Sequence, residues 1–248
     1  MVGPLPGKSR DLPIVKLLPN LLTLAAVCAG MTAIRFSFQG EFEWAVRLIL
    51  VAGLLDGLDG RLARLMRVQS LVGAELDSLA DFLNFGVAPA LILYAWSLHQ
   101  IGGLGWIAVL CFALCCLMRL ARFNVDAKSD APRPGGHFTG VPSPAGAVIA
   151  LLPMLLSFVF AAPPLVPAAV TAVYTVAVGL LMISRIPTPS FKNITVSREN
   201  AHFALLGAVM LAVALLVYSW ATLIVLTLAY VAAVVVALPL HLRNRRKG

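Results

Sequence analysis

Eight stretches of about twenty predominantly apolar residues follow one another along this chain, near 19–37, 46–66, 74–97, 103–121, 144–161, 165–184, 202–219 and 222–240. Each is long enough to cross the hydrocarbon of a bilayer as a helix. In lipid, backbone polar groups must be satisfied within the segment or within a closed barrel, and apolar runs of this length select the helix. The predicted fold is all-α, a polytopic membrane helix bundle of about eight transmembrane helices. The sixth stretch follows the fifth after a turn at Pro163 and Pro164. The seventh and eighth are parted only by "YSWA", which predicts a helical hairpin.

Charge supports this reading and orients it. Only 12% of the residues are charged and the mean hydropathy is +0.92, whereas a soluble domain carries roughly 25% charged residues. The net charge of +8 does not point to nucleic acid, because the basic residues are scattered between apolar runs rather than gathered in one domain. If the eight stretches alternate across a membrane, one face collects all of the 19 Lys and Arg except Arg35 and Arg47. That bias marks the face as cytoplasmic and places both termini there. Residues 1–18 then form a cytoplasmic leader, 185–201 a cytoplasmic connection, 202–240 two C-terminal helices and 241–248 a basic tail. The leader segment "KSRDLPIVKLLP" suits either an interfacial helix or a tail that only sets topology, and no clear small-residue cleavage site follows it. Cys28, Cys111, Cys115 and Cys116 all lie in apolar runs without a C-x-x-C pair, which assigns them to packing.

Against this background, "LLDGLDGRLARLMRVQSLVGAELDSLADFLNF" stands out. Asp56, Asp59, Asp77 and Asp81 fall within 26 residues, each embedded among Leu, Ala, Val and Phe. An ionised carboxylate at the centre of a membrane helix costs roughly 2.5–3.5 kcal/mol even on lenient insertion scales. Asp56, Asp59, Gly60, Ala63 and Arg64 share one stripe of the second helix, and Gly73, Asp77 and Asp81 share one stripe of the third. A tight turn near 67–72 makes the two helices antiparallel neighbours. Asp59 then lies roughly 10 Å before the turn and Asp81 roughly 12 Å beyond Gly73, at 1.5 Å per residue. The four acids therefore face one another just inside the cytoplasmic boundary. Converging carboxylates repel unless a cation sits between them, and oxygen donors suit a divalent ion such as Mg or Mn. Two ions about 4 Å apart would match this number of carboxylates and would suit phosphoryl chemistry. Gly60, Ala63 and Gly73 are small and leave room for a bulky ligand, while Arg64 can offset a phosphate.

Written out, the stretch is Asp56-x2-Asp59-Gly60-x2-Ala63-Arg64-x8-Gly73-x3-Asp77-x3-Asp81. This pattern resembles, without a departure, the signature of the CDP-alcohol phosphotransferase family. The resemblance implies a six-helix catalytic core, covering 19–184 here, and displacement of CMP from a CDP-linked donor by an alcohol. It also implies that the first three aspartates hold divalent metal, and that Asp81 reaches metal and serves as general base. "LPNLLTL", with Asn20 and Thr23, resembles the nucleotide-proximal start of the first helix in that family. "DSLADFLNFGVAPA", "RLARFN", "FTGVPSPAGA" and "SRIPTPSFKN" look like the membrane-integral phosphatidylserine synthases of bacteria.

From that resemblance the donor would be CDP-diacylglycerol, contacted by Asn20, Thr23, Asp59, Gly60, Ala63, Arg64, Gly73, Asp77 and Ser78, and the acceptor L-serine. A homodimer in the bacterial inner membrane, with the active site facing the cytoplasm, is implied in the same way. Arg119, Arg122, Ser143 and Arg185 are candidates for the acceptor or a phosphate. A guanidinium suits bidentate recognition of either anion, although juxtamembrane arginines also serve topology and Ser143 also suits a helix start beside Pro144. Glycerol 3-phosphate, inositol phosphate and choline remain alternative acceptors within the family. A transporter would distribute its acids at mid-membrane and repeat them in two halves. A prenyltransferase would need two separate Asp-rich motifs. The sequence has one continuous motif near one face.

Overall fold

The computed structural model describes residues 17–68, 70–128, 138–160, 165–184, 187–188 and 201–245. Helix α1 (Leu18–Phe38) opens with Pro19 in its first turn, where the missing N–H costs nothing. Helix α2 (Phe42–Leu65) returns alongside it. Along α1 the buried positions Ala26, Gly30, Ala33 and Ser37 recur at helical spacing, and α2, which packs along α1, buries Ala45, Val46, Ile49 and Ala52. Small residues on such a seam let two backbones approach closely, which is how helices associate without a hydrophobic gradient to drive them.

The turn out of α2 is built by backbone geometry. Arg67 adopts φ 53°, and the Val68 N–H donates back to the Ala63 carbonyl at 3.1 Å. This is a Schellman-type stop, in which the left-handed residue caps the last free carbonyls. Helix α3 (Leu71–Asp81) starts immediately afterwards, with Ser70 Oγ accepting the Gly73 N–H at 2.9 Å.

Beyond Asp81 the helix widens into a π-helical turn, Phe82–Val87, and resumes as α4 (Ala88–Trp96). The expected third span is thus one continuous rod with a defect inside it. The cause is Pro89, which has no N–H to offer the carbonyl four residues back, so the preceding turn opens. Asn84 sits in that turn, fully buried, with its amide against the backbone of Gly30. A Cβ on residue 30 would lie 2.1 Å from Asn84 Oδ1, so α1 and the π turn can meet only at a glycine.

A 3-10 turn (Leu98–Ile101) leads to α5 (Gly103–Lys128). The expected fifth span is interrupted: α6 (Ser143–Ala150) ends at Leu151 and α7 (Leu152–Val159) begins there. Pro153 again removes the bond that would continue the helix. Helix α8 (Ala168–Ile183) packs along α5. Two-residue strands β1 (Phe138–Thr139) and β2 (Pro187–Thr188) pair antiparallel and join the segment before α6 to the segment after α8. Gly140, at φ +83°, lets that segment run against the Met182 and Ser184 carbonyls.

Helices α9 (Ala201–Val217) and α10 (Ser219–Arg245) form the expected hairpin, broken at Tyr218. Helix α10 packs on α7 and α6. The Trp220 ring lies 4.9 Å from that of Phe158, and Arg47, paired with Glu43 at 3.2 Å, sits 5.3 Å over Trp220. The α1–α2 and α9–α10 turns therefore occupy the same end of the bundle. The α2–α3 turn occupies the other, because α2 runs from one to the other.

Among the described residues, four helical stretches are long and apolar enough to cross a membrane: Leu18–Phe38, Leu71–Trp96, Gly103–Asp126 and Ser219–Val236. Ala168–Ile183 and Leu205–Val217 are apolar but shorter. Helix α2 has the length, but its last ten residues carry Asp56, Asp59, Arg61 and Arg64.

Candidate active site

The last turns of α2 and the whole of α3 bring the aspartates together. Asp56, Asp59 and Asp77 each place a carboxylate oxygen within 4.8 Å of the others. Asp81, one turn beyond Asp77, lies within electrostatic reach of Asp56 and Asp77. The spacing of the sequence explains this: positions 56 and 59 present one edge of α2, positions 77 and 81 one edge of α3, and the Schellman turn holds the edges face to face.

Three of the eight carboxylate oxygens are buried without a protein donor: Oδ1 of Asp56, of Asp59 and of Asp81. Such groups are costly unless a ligand satisfies them. Hard, anionic oxygens clustered this tightly fit a divalent cation, and their chemistry excludes the soft metals that prefer sulfur. Asp59 is also held from the side. The Thr23 hydroxyl of α1 donates to its Oδ2 while lying 3.1 Å from the Pro19 carbonyl. Thr23 thus fixes which carboxylate edge faces the cluster, as partners of metal ligands do.

The small residues separate into two roles. A Cβ on Gly60 would meet nothing within 4 Å, so this position borders open space beside the aspartates. A Cβ on Gly73 would meet Ser70 Oγ at 3.0 Å and Asn20 Oδ1 at 3.2 Å. Gly73 therefore serves the approach of α3 to the start of α1, and it places Asn20 at the mouth of the same cluster. Ala63 is half-buried, and Arg64 is exposed within electrostatic reach of Asp77. Ser78, half-buried on α3, accepts from Asn124 Nδ2 of α5 at 3.0 Å. Asn124 had no assigned role in the sequence; its part is to fasten α5 to the helix that carries Asp77 and Asp81.

The cationic candidates divide as well. Arg119 of α5 and Ser143 at the start of α6 are brought together, with the guanidinium donating to Ser143 Oγ at 2.5 Å. Asp81 lies within electrostatic reach of the same guanidinium. Arg122 instead donates to the Ile183 carbonyl at 2.8 Å, tying the end of α5 to the end of α8. Arg185 lies outside the described residues. The structure thus gathers the aspartates, Asn20, Thr23, Gly60, Arg119 and Ser143 around one end of the bundle, while Arg122 and Ser78 make cross-helix ties.

A family profile described as CDP-alcohol phosphatidyltransferase matches residues 16–184. The chain belongs to the CDP-alcohol phosphatidyltransferase family. Members of this family use divalent metal, in keeping with the oxygen-only donor set found on α2 and α3. The chain is 38% identical over 208 residues to a Mycobacterium leprae protein named CDP-diacylglycerol–serine O-phosphatidyltransferase, covering 83% of this chain and 68% of that one. A Mycobacterium tuberculosis protein of the same name is 46% identical over 149 residues, 58% of this chain and 51% of its own length. The chain thus spans about half the length of that relative. A Bacillus subtilis protein of that name is 32% identical over 177 residues, covering 71% of this chain and 92% of its own. The profile stops at the end of α8, so α9 and α10 lie outside the matched region.

Proposed function

We propose that the chain transfers the phosphatidyl group of CDP-diacylglycerol to the hydroxyl of L-serine, giving phosphatidylserine and CMP. The observation that carries this reading is the facing set of carboxylates on α2 and α3, with buried oxygens that no protein group satisfies. The names of the relatives support the choice of donor and acceptor.

Asp56, Asp59, Asp77 and Asp81 would hold the divalent metal, two ions in this reading and either Mg or Mn. When bound, it supplies positive charge against the diphosphate and against the charge that develops on the departing CMP. The protein's own residues do the rest. The open space at Gly60 and Ala63 admits the diphosphate, Arg64 stands beside it, and Asn20 and Thr23 border the nucleotide side. Asp81 takes the proton of the serine hydroxyl as its oxygen attacks the lipid-bearing phosphorus. The bond from that phosphorus to the bridging oxygen breaks, and CMP leaves with the electron pair. Arg119, steadied by Ser143, faces the acceptor, and Arg122 and Arg185 are kept as candidates for the acceptor or a phosphate.

In this reading eight helical crossings alternate, 19–184 is the six-helix core, and both termini lie in the cytoplasm. The donor's acyl chains then stay in the inner leaflet while serine arrives from water. Purified protein given CDP-diacylglycerol should release CMP with serine and not with glycerol 3-phosphate; the opposite preference would overturn the acceptor assignment. Asp81→Asn should lower turnover by about 100-fold or more, the range for losing a general base, with an unchanged melting temperature. Near-normal turnover in that variant would remove the proposed base.

A further inference from the structure

Helix α10 turns one face to the core: Leu223, Thr227 and Val234 are buried, and Tyr230 and Val231 pack between them. Tyr230 stands about three turns into that helix. Its phenol oxygen is buried and has no hydrogen-bond partner. Helix α10 packs against α6, whose first residue, Ser143, holds Arg119 of α5, and the Arg119 guanidinium lies within electrostatic reach of the phenol. Arg119 has spent one N–H on Ser143, and its Nε is likewise buried without a partner. Two unspent donors, an N–H and an O–H, thus lie in one interior region, and an interior does not tolerate unpaired donors. One belongs to a fixed cation. The complement of such a pair is an anion with two acceptor oxygens.

Resting on the reading that serine is the acceptor, we propose that Tyr230 and Arg119 together bind the acceptor's carboxylate, making Tyr230 a specificity residue supplied by the C-terminal hairpin. In serine, three bonds separate the hydroxyl oxygen from the carboxylate carbon. Asp81, within reach of Arg119, can therefore meet the hydroxyl while the carboxylate lies between Arg119 Nε and the Tyr230 hydroxyl. The donor's phosphate offers the same anionic chemistry, and kinetics separates the two sources.

The test is Tyr230→Phe in the full chain, which keeps the packed ring and removes only the hydroxyl. The KM for serine should rise about tenfold, the factor expected from losing one hydrogen bond to a charged group. The KM for CDP-diacylglycerol should stay within about twofold. Inhibition by L-alanine, which has the carboxylate and lacks the hydroxyl, should weaken in parallel. An unchanged serine KM, or a rise confined to the donor's KM, overturns the assignment while leaving serine as acceptor. A wild-type protein that releases CMP with glycerol 3-phosphate but not with serine overturns the underlying reading, and this assignment with it.

Discussion

At the scale of single residues, the site depends on how carboxylate edges are held. Thr23 gives its hydroxyl to Asp59 Oδ2 and leaves Oδ1 free for the cluster. Thr23→Val keeps the shape and removes that donor. The divalent metal concentration for half-maximal CMP release should rise about 10- to 100-fold, the usual cost of losing a partner to a metal ligand, and Thr23→Ser should restore it. An unchanged metal curve in Thr23→Val would mean that the bond does not orient Asp59. The aspartates were legible in the sequence because their chemistry is so poorly suited to lipid and because i, i+3 and i, i+4 spacing fixes a helix edge. Tyr230 was not legible. Nothing local marks it, and its proximity to Arg119 arises only when α10 folds back over α6 and α7. Ser78, expected at the CDP-diacylglycerol site, also has a partner that the sequence does not reveal, Asn124 of α5.

At the scale of helices, two prolines and one glycine do what apolar periodicity cannot express. The sequence predicts spans from hydrophobic length, and length says nothing about a π turn at 82–87 or a break at Leu151. Pro89 and Pro153 were visible, yet whether a proline kinks, widens or ends a helix is decided by its neighbours. Here the π turn follows Asp81 directly and rests on α1 through Asn84 and Gly30. Gly30→Ala should destabilise the protein by about 1–3 kcal/mol, the range for overpacking a core, seen as a lower melting temperature in detergent. Adding Asn84→Ala should recover part of the loss, since the clash is with the Asn84 amide oxygen. Full additivity of the two losses would show that the contact does not join α1 to the π turn.

At the scale of the whole molecule, the packing shows which turns share an end, and the proposed orientation rests on charge. The proposed reading, from the Lys and Arg bias, has the α2–α3 turn in the cytoplasm with both termini. The Arg47–Trp220 contact puts the α1–α2 and α9–α10 turns together at the opposite end. With the native cysteines replaced, Gln39→Cys and Tyr218→Cys should react with an impermeant maleimide added to intact cells, and Arg67→Cys only after permeabilisation. Labelling of Arg67→Cys in intact cells would invert the orientation.

The arrangement matters because the acids must lie where a lipid-borne donor and a water-borne acceptor can meet around a cation. The direct measurement is CMP release from CDP-diacylglycerol and serine by chelator-treated protein, titrated with Mg or Mn, for wild type and Asp56→Asn. Wild type should be silent without metal and recover saturably, while Asp56→Asn should need at least about 100-fold more metal or fail to recover. Full CMP release after chelation, or a wild-type metal curve from Asp56→Asn, would contradict a metal held between α2 and α3.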